Sequence, residues 1–320
     1  MRTVLILTIA SLALALAAAG CGGSGDAAGD SPGASADGSA ETIAAGQQLD
    51  VVAGFYPLAY ATEVIGGDSV SVENLTPPGV EPHDLELSAR DVERVQAAGL
   101  VLYLGESFQP ALEDAATGAS GQAVDLLEGL ELREGAGGEE GDEHEGDEHE
   151  GEELGADPHV WLDPTLYASI AERIGELLGR QEQAAELAAE LAGLDQELAA
   201  GLADCERRVL VTSHAAFGYL AARYGLEQLS VTGLSPEAEP SPSDLENVVA
   251  AVRESGATTV FAETLVSPEL AETVAREAGA EIAVLNPLEG LTEEEQEAGA
   301  DYFSVMRDNL AALRSGLGCR

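Results

Sequence analysis

Five histidines punctuate a chain of 320 residues, and a neutral imidazole is well suited to holding a borderline divalent metal ion near neutral pH. Two of them, His144 and His149, stand in an acidic repeat, the pentapeptide GDEHE written twice at 141–145 and 146–150. The other three are His83 in TPPGVEPHDLE, His159 in DPHVWLDP and His214 in VLVTSHAAFGYL, each near the end of a segment that reads as a strand. Open α/β sheets bind ligands beyond the carboxyl ends of their strands. Taken singly each histidine has an ordinary structural reading: His83 would cap a turn, and Ser213-His214 would start a helix. Taken together they point to a metal site, because three imidazoles suit Zn2+, which takes nitrogen at about 2.0–2.1 Å in tetrahedral sites. A fourth ligand is offered by Glu289, which follows Asn286 in VLNPLEGL after the last strand-like run. Glu263, in FAET, ends a strand on the same side. It reads either as a group that orients a ligand histidine or as an ordinary strand-end carboxylate.

The segments that must position these residues alternate in type. Short apolar runs at 50–53, 70–75, 100–104, 208–212, 227–231, 258–262 and 281–285 read as strands. Helical patterns at 58–65, 88–98, 215–224, 243–254, 268–278 and 293–317 lie between or after them, with Ser88 and Ser243 as N-caps. Alternation of this kind predicts an α/β fold with mainly parallel sheets flanked by helices. The stretch 164–204, rich in Ala, Leu and Glu, reads as helix with a break near 180–182, so that two lobes flank a helical connector. Asp163 is placed as the cap of that helix, and Trp161, the single tryptophan, in the core.

Composition sets the surroundings. Against 59 Asp and Glu stand 14 basic residues, and the net charge of −45 opposes binding to nucleic acid or to an anionic membrane surface. Arg2 precedes an apolar run over 3–19 that is short for a membrane span and reads as a secretory signal, 1–20. Small residues then precede Cys21, as in a bacterial lipobox, although Ala18 stands where leucine is usual. Cys21 is expected to carry lipid, with plain secretion as the alternative. Residues 21–48, almost wholly Gly, Ser, Ala and Asp, read as a flexible tether. Eleven acids among glycines over 134–153 mark an insertion, 134–155, with no capacity for a core. His144 and His149 there would capture zinc weakly, or the segment is an acidic spacer. The remaining cysteines, Cys205 and Cys319, bound the second lobe of an exported chain, which predicts a disulfide, with two buried thiols as the alternative.

The segments PPGVEPHDLELSA, DPHVWLDP, TSHAAFGYLAARYGL, FAETLVSP and LNPLEGL resemble the solute-binding proteins of zinc ABC transporters, in that family's order and from about residue 50 to the end of the chain. The resemblance implies two α/β lobes, 49–180 and 205–320, joined by a long rigid helix over 181–204, with one metal ion between them. It carries the ligand role onto His83, His159 and His214, and implies a monomeric receptor anchored at the outer face of the cell membrane that delivers Zn2+ to an ABC permease. Manganese-binding relatives place a glutamate at the position of His214, so three imidazoles favour zinc over Mn2+. Some relatives use an aspartate at the place of Asn286, a poor ligand. Others use the glutamate three residues on, which is Glu289, and a water in the fourth position is the alternative.

Different classes compete. A zinc hydrolase or lyase would also use three histidines and an exchangeable water, but the chain has neither H-E-x-x-H nor G-x-S-x-G. A surface adhesin is a further reading compatible with the sequence.

Overall fold

The computed structural model describes residues 48–135 and 155–320. The first lobe contains β1 (Leu49–Ala53), α1 (Tyr56–Gly66), β2 (Val70–Asn74), α2 (Ala89–Ala97), β3 (Leu100–Tyr103), α3 (Pro110–Ala116) and β4 (Gln122–Asp125). A hairpin of helices follows, α4 (Pro164–Leu178) and α5 (Gln181–Leu202), turned by Gly179 in the left-handed conformation. The second lobe contains β5 (Val209–Thr212), α6 (Gly218–Arg223), β6 (Glu227–Ser230), α7 (Pro242–Ser255), β7 (Thr259–Ala262), α8 (Glu269–Ala278), β8 (Glu281–Val284), α9 (Glu293–Glu297) and α10 (Tyr302–Leu317). Both sheets are parallel, and their strand orders, β2-β1-β3-β4 and β6-β5-β7-β8, are the same. In each lobe the order therefore reverses between the first and third strands, the place where such sheets open a ligand crevice.

Side chains alternate between sheet faces along each strand. In the first lobe Val51, Ala53, Leu100 and Leu102 face inward, while Val52 and Val101 face α2 and α3. In the second, Leu210 and Phe261 face inward, and Val211, Val260 and Ala262 pack against α7 and α8. The inward faces do not form a separate core for each lobe. They belong to one apolar cluster that also takes in Leu187, Leu191, Leu194 and Leu198 of α5, spaced as one helix face, and Tyr302, Met306 and Leu313 of α10. At 22 residues, α5 is about 33 Å long.

Three details differ from the sequence reading. The cap of α7 is Ser241, not Ser243: its hydroxyl accepts from Asp244 N–H while the Asp244 carboxylate accepts from Ser241 N–H, and Pro242 takes the first helical position. The last helix is not continuous over 293–317. It stops before Gly299, whose φ is +76°, and restarts where Asp301 caps α10 by accepting from Ser304 N–H. Finally, α3 and β4, of seven and four residues, left no legible period in the sequence.

Candidate metal centre

Two buried polar side chains leave the second lobe at its crevice. His214 follows β5 by two residues in extended backbone. Glu263 follows β7 directly, and because β7 lies beside β5 its carboxylate reaches back across the crevice. Oε1 accepts from the His214 backbone N–H at 3.0 Å and Oε2 pairs with His214 Nδ1. One carboxylate thus fixes both the backbone and the ring, leaving Nε2 directed into the cleft.

Glu289 lies in the loop after β8, and its local sequence explains its aim. Asn286 Oδ1 accepts from Leu288 N–H at 2.7 Å, an Asx turn, and Asn286 Nδ2 donates to Glu295 Oε1 at 2.9 Å. The Asn309 side chain brackets the Asn286 backbone, accepting from its N–H at 2.9 Å and donating to its carbonyl at 2.7 Å. Leu288 takes a φ of +57°, uncommon for a residue with a side chain, and is fully buried. Asparagine at 286 therefore shapes the turn that points Glu289 inward, and is not itself aimed at the cleft. From the other lobe, the Trp161 indole N–H donates to the Pro287 carbonyl at 2.8 Å.

The first lobe supplies His159 and His83. Asp157 Oδ1 accepts from the His159 backbone N–H at 3.0 Å and lies 2.8 Å from His159 Nδ1, the same two-point grip that Glu263 has on His214. His83 sits in the loop between β2 and α2, edge-on to Phe108 with ring centroids 4.6 Å apart. Among the described residues no hydrogen bond holds its ring, and its Nε2 is buried without a partner.

The four side chains converge. Glu289 Oε1 lies 3.0 Å from His214 Nε2, 3.2 Å from His159 Nε2 and 3.5 Å from His83 Nε2, and the Nε2 atoms of His159 and His214 are 3.4 Å apart. All four donor atoms fall within 4.8 Å of one another. A tetrahedron with bonds of about 2.0–2.1 Å has edges of about 3.3–3.4 Å, so these four separations of 3.0–3.5 Å are near the spacing Zn2+ requires. Three neutral nitrogens and one carboxylate also match its preferred donors, and the orphaned Nε2 of His83 is the atom a metal would satisfy.

Charge around the cluster is uneven. Burial pushes the His214 imidazole down, but Glu263 and Glu289 outweigh it and hold it well above its usual range. Burial opposes ionisation of Glu289 too, yet His214, His159 and His83 hold its carboxyl well below the ordinary carboxylate value. His83 is lowered, chiefly by burial. Beside them Glu81 is pushed up to about 8 by burial and by the charge of Glu289, which keeps a second anion from forming next to the first.

Of the residues marked in the sequence, His83, His159, His214 and Glu289 come together, and Glu263 grips a histidine as one of its two readings required. Asp163 caps α4, accepting from Thr165 N–H at 2.8 Å, and Trp161 is wholly buried. His159 does not follow a sheet strand as expected; it comes three residues after an isolated bridge between Glu134 and Ala156, where Pro158 and Pro164 flank the short helical turn Val160–Leu162. The sequence reading missed Asp157. The D-x-H spacing was its signal, since an aspartate two residues upstream can accept from the histidine N–H. The Sγ atoms of Cys205 and Cys319 stand 2.00 Å apart, joining the end of α5 to the end of α10. His144, His149 and Cys21 lie outside the described residues.

Comparison with known proteins gives a consistent picture. Residues 51–316 match the family model described as zinc-uptake complex component A, periplasmic. The zinc-binding protein AdcA of Streptococcus pyogenes is 37% identical over 294 residues, covering 86% of this chain and 57% of its own length, so the chain spans little more than half of that relative. The high-affinity zinc uptake system protein ZnuA of Bacillus subtilis is 37% identical over 284 residues, covering 85% of this chain and 88% of its own. Among solved structures, the Zn(II)-bound ZnuA-like domain of Streptococcus pneumoniae AdcA superposes with a TM-score of 0.67 at 35% identity, covering 85% of this chain and 99% of that domain.

Proposed function

This chain belongs to the family of periplasmic zinc-uptake complex component A, and from that premise we propose that it is the receptor of a zinc importer. It captures one Zn2+ between its lobes through His83, His159, His214 and Glu289 and delivers it to an ABC permease. The observation that carries this reading is the cluster itself: three imidazole nitrogens and one carboxylate oxygen, all within 4.8 Å, drawn from both lobes. Zinc is cargo here, held and released without chemistry. Asp157 and Glu263 are each engaged in aiming a ring and Glu289 is one of the four donors, which favours a receptor over a hydrolase. The match to a zinc-binding lipoprotein AdcA of Streptococcus pneumoniae, 37% identical over 279 residues, supports anchorage through Cys21 at the outer face of the membrane. A monomer suffices, since one chain supplies all four donors.

Elemental analysis of protein purified without added metal tests the reading. One zinc per chain, lost together with tight binding in His83→Ala, His159→Ala and His214→Ala, is the expected result. Manganese in place of zinc, or turnover of esters, peptides or bicarbonate by the zinc-loaded protein, would overturn it. Deleting residues 136–153 should remove weakly held extra zinc and leave the tight equivalent in place.

A further inference from the structure

His159 and its aspartate do not stand on a sheet of their own lobe. They sit on one side of a narrow neck, where residues 133–135 run antiparallel to 155–157 and pair only through the Glu134–Ala156 bridge. Next to that bridge, Asp157 N–H donates to the Arg133 carbonyl at 2.9 Å. An antiparallel pair would complete this with a bond from Arg133 N–H to the Asp157 carbonyl. The Tyr219 hydroxyl stands between those two groups instead: it accepts from Arg133 N–H at 2.9 Å and donates to the Asp157 carbonyl at 2.8 Å. Tyr219 belongs to α6, in the second lobe. Its ring is 4% exposed and lies under the Arg133 guanidinium, 6.0 Å from the ring centroid. The preceding residue is Gly218, where a Cβ would lie 2.7 Å from Asp157 Oδ2, so glycine at that position lets the helix approach the aspartate.

We propose that Tyr219 is a positioning residue for the zinc site, its hydroxyl holding the neck that carries Asp157 and thereby setting the angle at which His159 meets the metal. Three links carry the effect: Tyr219 to the Asp157 backbone, the Asp157 carboxylate to His159 N–H and Nδ1, and His159 Nε2 to the cleft. Because Tyr219 follows His214 by five residues on the same lobe, the device also registers one lobe's ligand against the other's. The inference rests on the zinc-receptor reading.

The test measures zinc affinity by chelator competition, and the visible absorption of the Co2+-loaded protein, for the full chain and for Tyr219→Phe, Asp157→Asn and the double variant. Tyr224→Phe serves as a control, since it removes another buried tyrosine hydroxyl bond, to Asp195 at 3.1 Å, away from the metal ligands. Removing the partner of a ligand histidine costs about 10–100-fold in affinity, which is expected for Asp157→Asn. Tyr219→Phe should lose about tenfold and shift the Co2+ bands, while Tyr224→Phe leaves both readings unchanged. The double variant should bind no more weakly than Asp157→Asn alone, because both changes break one chain of contacts. Wild-type affinity and spectrum in Tyr219→Phe, or losses that multiply in the double variant, would overturn the proposal. Failure of the unaltered protein to bind zinc would instead overturn the receptor reading on which it rests.

Discussion

The two lobes have the same strand order and put different things at the same place. At the crevice of the second lobe, where β5 and β7 part, stand His214 and Glu263, locked together at two points. At the matching crevice of the first, between β1 and β3, stand Gly54, Phe55 and Phe108, with Gln109 behind them, and the aromatic rings meet at centroid distances of 4.8 Å. The second lobe builds its histidine into the sheet. The first fills the equivalent space with an apolar pad and brings its ligands in from outside, His159 on the neck and His83 on the loop after β2. The contrast separates two ways of presenting a metal ligand: fixed by the sheet before the metal arrives, or carried on a segment whose order depends on its neighbours. Conformational freedom not already removed must be given up on binding, so the second lobe is the pre-arranged half of the site.

Loss of the Cys205–Cys319 bridge should produce the largest change in stability. It spans 114 residues of the second lobe, and a closed loop of this size contributes about 4–5 kcal/mol in the chain-entropy model. Thiol titration of the unfolded, unreduced protein should find neither sulfur free. Cys205→Ser with Cys319→Ser should lower the melting temperature and leave zinc affinity in place, because Glu263 and β5 hold His214 without it. An affinity that fell with the bridge would mean that the pre-arranged half owes its order to the cross-link and not to the sheet.

Next in size come the histidines themselves. Both His214→Ala and His83→Ala should cost more than the 100-fold or so that loss of an outer partner produces. Their effects on the metal-free protein should differ. Without His214, Glu263 is left buried with no imidazole, a loss of about 3 kcal/mol or more. His83 has no such partner, and its removal should cost about 1 kcal/mol. Chemical denaturation of both variants in chelator checks this, and equal losses would erase the distinction between the lobes.

Glu263→Gln and Glu289→Gln each remove one carboxylate from the second lobe's half of the site. The first keeps the shape of the grip but loses its charge, and should weaken zinc by about 10–100-fold. The second removes the one negative ligand and should fall in the same range, below the loss from any histidine. Zinc titrations against a competing chelator give both values. A Glu289→Gln protein that binds like the unaltered one would hand the fourth position to water.

Much of this arrangement was legible in the sequence, and the part that was not has a physical reason. His214 and Glu289 could be placed because each closely follows a strong strand signal, and strand ends in parallel sheets gather at one edge. Asp157 escaped because the neck is not a strand by any period: it is two short segments held by one bridge and a tyrosine hydroxyl from elsewhere in the chain. Ser241 was passed over for Ser243 because both precede acidic residues at plausible spacing, and only Pro242 at the first helical position decides between them. The shared core was hidden for a different reason. Periodicity shows which face of a helix is apolar, but not that α5 packs against α1 of the first lobe and α10 of the second at once.

The smallest expected effect concerns what holds His83. No carboxylate grips its ring among the described residues, but a buried carboxamide helps to pin the loop that carries it, along with the Gly79 N–H bond to the Leu291 carbonyl at 2.9 Å. The Gln109 Nε2 group lies within hydrogen-bonding distance of three oxygens: the Gly54 carbonyl at 3.2 Å, Thr76 Oγ1 at 3.1 Å and the Pro82 carbonyl at 3.3 Å. Gln109 is fully buried, and Pro82 is the residue before His83. Thr76 Oγ1 donates independently to the Gly54 carbonyl at 2.7 Å, and the Pro82 carbonyl also accepts from Leu85 N–H at 3.2 Å, so loss of the amide would leave each of these carbonyls with another donor. Gln109→Leu, close in size and without the amide, should therefore destabilise the protein by about 0.5–1.5 kcal/mol and loosen the loop without displacing the imidazole. Zinc affinity should fall only a few-fold, clearly less than the roughly 10–100-fold expected when a histidine loses its own carboxylate. The order of the two losses is the point of the experiment. If Gln109→Leu weakened zinc as much as Glu263→Gln, then His83 would be as firmly pre-arranged as His214, through its backbone instead of its ring, and the first lobe would not be the adaptable half of the site.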